Sequence, residues 1–274
     1  MTFSIVVRDA DAATWGVAVA SKFLAVGAFV PAATPGAGAL ATQADVNLTY
    51  RPDGLKLLSA GVEAPAVVRT LVEADERGSH RQLGVVDADG EAAAWTGEDC
   101  IAWAGHRTGA GVSVQGNCLT GPEVVDAMLA AWEAGDPSTS LGDRLVAALA
   151  AGDAAGGDVR GRQSAAVLVV RARGGFMETT DVVVDLRVDD HETPTTELVR
   201  LMTLHHLHLE RPDPADLVEF DDALRTRCDA LARAAGQPDF DTWVGVSNYE
   251  MRVTDTAIDR TVLSLLEAGA QRTR

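Results

Sequence analysis

Thr2-Phe3-Ser4-Ile5-Val6-Val7-Arg8 and Trp15-Gly16-Val17-Ala18-Val19-Ala20-Ser21-Lys22 are the two runs whose reading decides the fold. Both are rich in β-branched and small apolar residues, and the segment between them carries Asp9, Asp11 and Thr14. Two β-rich runs around a short polar segment predict a hairpin. Pairing Arg8 with Trp15 brings Thr2 opposite Ser21 and leaves Lys22 one residue beyond the strand end. Side chains alternate along a strand with period two, so Ser4 shares the face of Thr2. One end of the sheet then collects Thr2, Ser4, Ser21 and Lys22.

Thr2 stands directly behind Met1, and a small second residue permits removal of an initiator methionine. The mature chain then begins with a hydroxyl and a free α-amine on one residue. Such an amine has an unperturbed pKa of roughly 7.7–8.0 and can serve as a base near neutral pH. A terminal threonine hydroxyl activated by its own amine is one solution to amide hydrolysis. The Lys22 ammonium nearby would lower the amine's pKa and favour an anionic nucleophile. The competing reading is a threonine that merely starts a strand and a lysine that merely ends one in water.

The balance of charge excludes some classes. The chain has 274 residues with a net charge of −17 and a pI near 4.6. That argues against binding nucleic acid or anionic membranes, which depends on clustered Lys and Arg; Lys22 and Lys56 are the only lysines. Cys100, Cys118 and Cys228 form no CxxC pair and no even disulfide set, which suits a reducing compartment. Arg8, Asp9 and Asp11 interrupt the place where a signal peptide needs an apolar core. The most apolar stretch, Val17 to Val30, is broken by Ser21 and Lys22 and is too short to span a bilayer. A cytoplasmic, unexported protein is expected.

Along the chain, further strands are expected at Ala39–Gln43, Gln82–Asp87, Glu91–Thr96, Val112–Gln115, Ala165–Arg171 and Val182–Val188. Helices are expected at Leu55–Ala60, Ala64–Asp75, Glu123–Ala134, Leu141–Ala151 and Pro194–Glu210. Segregated runs of strands and helices indicate α+β layering rather than βαβ units. Arg211-Pro212-Asp213-Pro214 reads as a linker, which divides the chain into a domain at 1–211 and a small helical module at 212–274. In that module the spacing of Leu217, Phe220, Leu224, Cys228 and Leu231 predicts a helix over Ala215–Ala235. A Trp-containing segment, Trp243–Arg252, and a last helix over Ala257–Ala268 complete it.

Other polar residues at strand ends or turns are site candidates, each in competition with ordinary turn chemistry. Thr42 and Gln43 end the third strand. Gly116 and Asn117 follow Val112–Gln115, and a glycine beside an amide side chain can supply an oxyanion hole. Asp158, Arg160, Gln163 and Ser164 follow a Gly-rich break. Arg160 and Arg187 are the candidates for binding a substrate carboxylate, through bidentate guanidinium contacts. For metals, Asp189-Asp190-His191 and His205, His206, His208 are the only groups to consider. No carboxylate- or thiolate-rich set completes either, and no metal is expected.

The opening Thr2–Asp9 resembles the Ntn-hydrolase-like family known as domain of unknown function 1028. So do Gly16–Phe23, Ala41-Thr42-Gln43, Arg81–Asp87, Trp95-Thr96-Gly97, Trp103-Ala104-Gly105-His106, Val114–Asn117, Gly161–Ala166 and Asp185–His191. The resemblance implies a four-layer αββα sandwich, two antiparallel sheets between helical layers. It also implies an N-terminal-nucleophile amidohydrolase, with Thr2 as nucleophile and Ser4 as the alternative. The expected substrate is a small amide or short peptide, with no cofactor, in a homo-oligomer. Ser21 stands where the Asp of a proteasome-type site would be sought. The segment Trp243–Arg252 is similar to a module often appended to this family and labelled peptidoglycan-binding. The alternative expectation is a non-catalytic scaffold of the same architecture that recognises a peptide or muropeptide.

Overall fold

Residues 2–9 and 13–272 are described by a computed structural model. Met1 and Asp11 lie outside the described residues.

The opening hairpin forms in the expected register: β1 (Thr2–Asp9) runs antiparallel to β2 (Thr14–Ser21), with Arg8 facing Trp15 and Phe3 facing Ala20. Next come β3 (Pro31–Thr34), β4 (Gly38–Ala44), α1 (Tyr50–Ser59), α2 (Ala64–Glu73), β5 (Arg81–Asp87), β6 (Ala92–Thr96), β7 (Trp103–Gly109) and β8 (Val112–Leu119). The chain continues through α3 (Glu123–Ala134), α4 (Leu141–Ala154), β9 (Ser164–Val170), β10 (Val182–Val188) and α5 (Pro194–Leu209). It closes with β11 (Leu217–Glu219), α6 (Asp222–Ala234), α7 (Phe240–Ser247), β12 (Ala257–Asp259) and α8 (Arg260–Arg272). Among the described residues the fold is thus mixed α/β, with eight α-helices and three antiparallel sheets. The large sheet has the order β10-β9-β2-β1-β8-β7, and the second sheet β3-β4-β5-β6.

Strand alternation sorts the side chains into three apolar layers. Phe3, Ile5 and Val7 point from β1 to one side, where α3 and α4 contribute Val125, Met128, Leu145 and Leu149. Val6 of β1 and Trp15, Val17 and Val19 of β2 point to the other side, against Ala39 and Ala41 of β4 and Val86 of β5. Leu40, Leu83 and Val85 then face Leu58 of α1 and Val67, Val68 and Leu71 of α2. Fully burying each such side chain contributes about 1.5–3 kcal/mol, so a register slip that reversed the alternation would be severely penalised.

Departures from expectation have local causes. α1 begins at Tyr50 rather than Leu55, because Pro52 in a first helical turn breaks no hydrogen bond. Gly54 in that helix lets α1 approach the sheet: a Cβ there would lie 2.5 Å from Leu40 Cδ2. β3 and β7, missed in the sequence, are edge strands. One opens on Pro31, and the other contains Gly105, whose missing Cβ makes room for the Trp103 ring at 2.8 Å.

The chain divides into compact units at Met202/Thr203, inside α5, whereas the Arg211–Pro214 linker reading puts the boundary at 211/212. In the second unit, Leu207 from the end of α5 packs on a core of Cys228, Phe240, Trp243, Ile258, Val262 and Leu266. The helices expected from Ala215 and from Ala257 both start later. Leu217–Glu219 and Ala257–Asp259 pair as a two-stranded ribbon, and Asp221 accepts a hydrogen bond from the Leu224 N–H to cap α6.

Candidate functional site

The strand registers bring one level of both sheets together. In the large sheet Thr2 faces Asn117, and Ser21 faces Ser164; in the second sheet Gln43 faces Gln82, which faces Thr96. Deeper in, Ser4 faces Gln115, which faces His106. The even-numbered residues of β1 therefore grade from apolar Val6, within the inter-sheet layer, to polar Ser4 and Thr2 at its end.

The Thr2 and Ser21 hydroxyls are 3.1 Å apart, as the hairpin register anticipates. The carbonyl of Thr2 accepts from two amide side chains, Gln43 Nε2 at 3.3 Å and Asn117 Nδ2 at 3.4 Å. Both amides also donate to Gln82 Oε1, at 2.8 and 2.9 Å. With its oxygen fixed by two donors, Gln82 turns its Nε2 to the Gly116 carbonyl at 2.7 Å and to Thr96 Oγ1 at 2.9 Å. Thr96 Oγ1 in turn lies 2.9 Å from His106 Nδ1. Burial holds the His106 pKa below its usual value, with the nearby Arg107 acting in the same direction.

Ser4 is wholly buried, and its hydroxyl is committed on both sides. It donates to Gln43 Oε1 at 2.7 Å and accepts from Gln115 Nε2 at 2.7 Å. Gln115 Oε1 is taken by the Ser113 hydroxyl at 2.7 Å. Every amide in this network thus has a defined orientation, as buried polar groups require. Gly84 makes room for it: a Cβ at that position would lie 2.0 Å from Gln115 Oε1.

The remaining sequence candidates separate into distinct roles. Lys22 has an exposed side chain, and its backbone N–H donates to Asp158 Oδ2 at 2.9 Å. Asp158 is buried and also binds the backbone N–H and guanidinium of Arg160. Ser164 accepts from the Val26 N–H and donates to the Phe23 carbonyl, so it anchors the loop after β2. Gln163 donates from its backbone to the Ser21 carbonyl and from its side chain to Asp190. Arg187 grips Asp185 through two bonds of 2.8 and 2.9 Å. Thr42 alternates away from Gln43 and donates to the Asn47 carbonyl at 3.3 Å. Gly116 supplies its carbonyl to Gln82.

Among the described residues no group of three or more His, Cys, Asp or Glu is arranged to hold a metal ion. His191 Nδ1 accepts from the Thr193 N–H, and His205 and His206 both approach Glu210. Sequence reading passed over Gln82, Thr96, His106 and Gln115 as site members. The available signal was a glutamine in each of three strands, Gln43 in β4, Gln82 in β5 and Gln115 in β8.

At the same end of the second sheet, where Ala44 pairs with Arg81, lies a charged cluster. Asp75 accepts from Arg81 Nε at 2.8 Å, Asn47 Nδ2 at 2.8 Å and the Tyr50 hydroxyl at 3.1 Å. The Arg81 hydrogen bond holds the Asp75 carboxyl well below the usual range, while burial and Asp75 push the Tyr50 phenol up. α1 and α2 border a cavity of about 730 Å³ beside this cluster.

These features define an α/β protein in which a buried, uncharged network of oriented amides and hydroxyls joins two antiparallel sheets. Residues 2–198 match the model of a family of unknown function, DUF1028, and the chain belongs to that family. It is similar to a crystal structure of a Silicibacter pomeroyi protein assigned to the same family. The two are 32% identical, with a TM-score of 0.68, over 78% of this chain and 88% of that one. No curated protein matches the chain. The matched family segment ends at residue 198, so the second unit lies outside it. No helix among the described residues is long and apolar enough to cross a membrane.

Proposed function

We propose that this protein is an N-terminal-nucleophile amidohydrolase acting on a small amide or peptide-like bond, with Thr2 as the nucleophile once Met1 is removed. One observation carries the reading. Thr2 is the first residue of a central strand, its carbonyl is held by two buried amides, and its hydroxyl bonds that of Ser21. The layering supports an αββα sandwich of the Ntn-hydrolase type, since each sheet is backed by helices on the face turned away from the other.

In this mechanism the Thr2 amine, directly or through a water, takes the proton from Oγ1, and Oγ1 attacks the substrate carbonyl. The tetrahedral intermediate collapses as the C–N bond breaks and the leaving amine takes the proton. Water then hydrolyses the acyl-Thr2 ester to release the acid and regenerate the hydroxyl. Asn117 spends both Nδ2 hydrogens on the Thr2 carbonyl and Gln82 Oε1, so it holds the Thr2 backbone in place; donation to an oxyanion requires it to give up one of these bonds. Ser21 orients the Thr2 hydroxyl. Lys22, exposed one residue beyond Ser21, is the cation assigned to act on the amine.

One observation favours the second reading, a scaffold without chemistry: the side chains that hydrogen-bond Thr2 among the described residues, Ser21, Gln43 and Asn117, are all uncharged. Two measurements on natively expressed protein decide between them. The intact mass reports whether Met1 is removed, and an electrophilic β-lactone reports whether Thr2 reacts. A chain that keeps Met1 quantitatively, or a free Thr2 that no lactone modifies, refutes the hydrolase.

A further inference from the structure

The cavity of about 730 Å³ bordered by α1 and α2 has the size and the mixed lining of a small-molecule site. Leu57, Ala60, Leu71 and Ala74 give it apolar walls. Leu57 and Leu71 belong to the apolar layer between these helices and the second sheet.

Its inner end is built from groups that satisfy one another. Asp75 Oδ2 accepts from Arg81, Asn47 and Tyr50, and Oδ1 accepts from the Arg77 N–H at 2.9 Å. Asn47 Oδ1 in turn accepts from the N–H and the hydroxyl of Thr49, at 3.1 and 3.0 Å. The Arg77 guanidinium pairs with Asp45. This wall is therefore formed without a ligand.

Three charges of the lining are not met in this way. Asp53, Lys56 and Glu76 are exposed, and among the described residues no ion pair engages any of them. Their places follow from the helices. Asp53 lies about one turn beyond Tyr50 on α1, and the Tyr50–Asp75 hydrogen bond sets Glu76 at the same end of the cavity. Lys56 follows Asp53 by three residues, and side chains so spaced on a helix are neighbours, with Cβ atoms about 5–6 Å apart. The cavity thus offers two carboxylates at one end, an ammonium one turn along, and apolar walls beside them.

This pattern fits a molecule that carries both charges on an apolar body. A lone anion would meet two carboxylates, and a lone cation would leave Lys56 without a partner. Two extended peptide residues span at most about 7 Å, close to the separation of Asp53 and Lys56. We infer that the α1–α2 cavity binds a dipeptide with both ends free and apolar side chains, its amine against Asp53 and Glu76 and its carboxylate against Lys56. The site is separate from Thr2, because α1 and α2 back the second sheet and Thr2 belongs to the large one. Binding there does not depend on the hydrolase reading.

Isothermal titration calorimetry on the full chain tests this with leucyl-leucine, its N-acetyl and amide forms, and glycyl-glycine. Capping either end should weaken binding about three- to fivefold, the factor for one exposed ion pair. Glycyl-glycine should bind at least about tenfold more weakly than leucyl-leucine, for want of apolar burial. Lys56→Ala should erase the difference between the free and amidated forms. Asp53→Asn combined with Glu76→Gln should erase the difference between the free and acetylated forms. All three side chains are exposed, so neither variant opens a gap in the core. Thr2→Ala should bind leucyl-leucine as the wild type does.

No binding of leucyl-leucine at millimolar concentration overturns the inference. So does equal affinity for its free, acetylated and amidated forms, which reports an apolar groove that reads no charge. A preference for the free carboxylate that survives in Lys56→Ala, or tighter binding of glycyl-glycine, overturns it too. Affinity lost in Thr2→Ala puts the peptide at Thr2 and overturns the cavity assignment, while the nucleophile is judged by lactone labelling alone.

Discussion

Thr2 and Ser4 share a strand face two residues apart, yet removing their hydroxyls should have opposite consequences. Ser4 is wholly buried, and its Oγ both donates to Gln43 and accepts from Gln115 at 2.7 Å. In Ser4→Ala, Gln43 Oε1 loses that donor, and Gln115 Nε2 keeps only a 3.4 Å contact with the Ser4 carbonyl. Neither amide can turn to recover the loss, because Gln43 Nε2 is held by Gln82 and Gln115 Oε1 by Ser113. One unmet acceptor and one weakened donor, at roughly 1–3 kcal/mol each, give a destabilisation of about 2–4 kcal/mol. For a chain of this size that lowers the melting midpoint by about 5–15 °C.

Thr2→Ala deletes a single hydroxyl contact of 3.1 Å. Its loss is worth about 0.5–1.5 kcal/mol, a shift of less than about 5 °C. Alanine at position 2 still permits removal of Met1, so the amine remains and only the hydroxyl is gone. Thermal melts paired with lactone labelling, each variant labelled well below its own midpoint, separate the two roles. Ser4→Ala should melt early and still carry an adduct that maps to Thr2, whereas Thr2→Ala should melt late and carry none. A Ser4→Ala chain as stable as the wild type would refute the network argument, and an adduct on Ser4 in Thr2→Ala would reverse the nucleophile assignment.

Gly84→Ala drives a Cβ to within 2.0 Å of Gln115 Oε1 in a packed layer. It should cost about 1–3 kcal/mol in urea unfolding, and an unchanged midpoint would mean that the amide network yields easily. The Asp75 carboxyl is held low in the folded state, chiefly by its hydrogen bond from Arg81, so its contribution is complete above the unfolded pKa of about 4 and fades as pH falls toward the folded value. Asp75→Asn should therefore flatten the acid limb of a stability-versus-pH curve; a parallel curve would assign that limb to other carboxylates. Arg160→Ala should slow labelling by neutral and carboxyalkyl lactones alike, because the Arg160 guanidinium is engaged by Asp158. A loss confined to the anionic probe would return Arg160 to substrate binding.

The local pattern of residues was enough to settle the central hairpin. Alternation in Phe3–Arg8 and Trp15–Ser21 specified both faces, and the short polar turn specified the register, so the meeting of Thr2 and Ser21 was legible without any other part of the chain. The helices over Glu123–Ala134 and near Leu141–Ala151 were legible too, because helical periodicity is a property of a few consecutive turns. In the second unit the same periodicity extended a helix across Leu217–Glu219, since apolar spacing cannot report that those residues pair with Ala257–Asp259.

The buried polar network was decided by tertiary structure. Gln43, Gln82, Gln115 and Asn117 lie on three strands of two sheets, β4, β5 and β8, and each reads in isolation as an ordinary polar residue of its strand. Their hydrogen bonds join residues 39 and 111 positions apart, as in Ser4 with Gln43 and Ser4 with Gln115. The edge strands β3 and β7 were hidden for a related reason: Pro31, Gly105 and Gly109 suppress the usual strand signal, and pairing with β4 and β8 supplies what propensity does not. A side-chain amide offers both donors and acceptors, so its own sequence context cannot say which way it points. Its orientation is imposed only when the sheets close, exclude water and require each buried donor to find an acceptor.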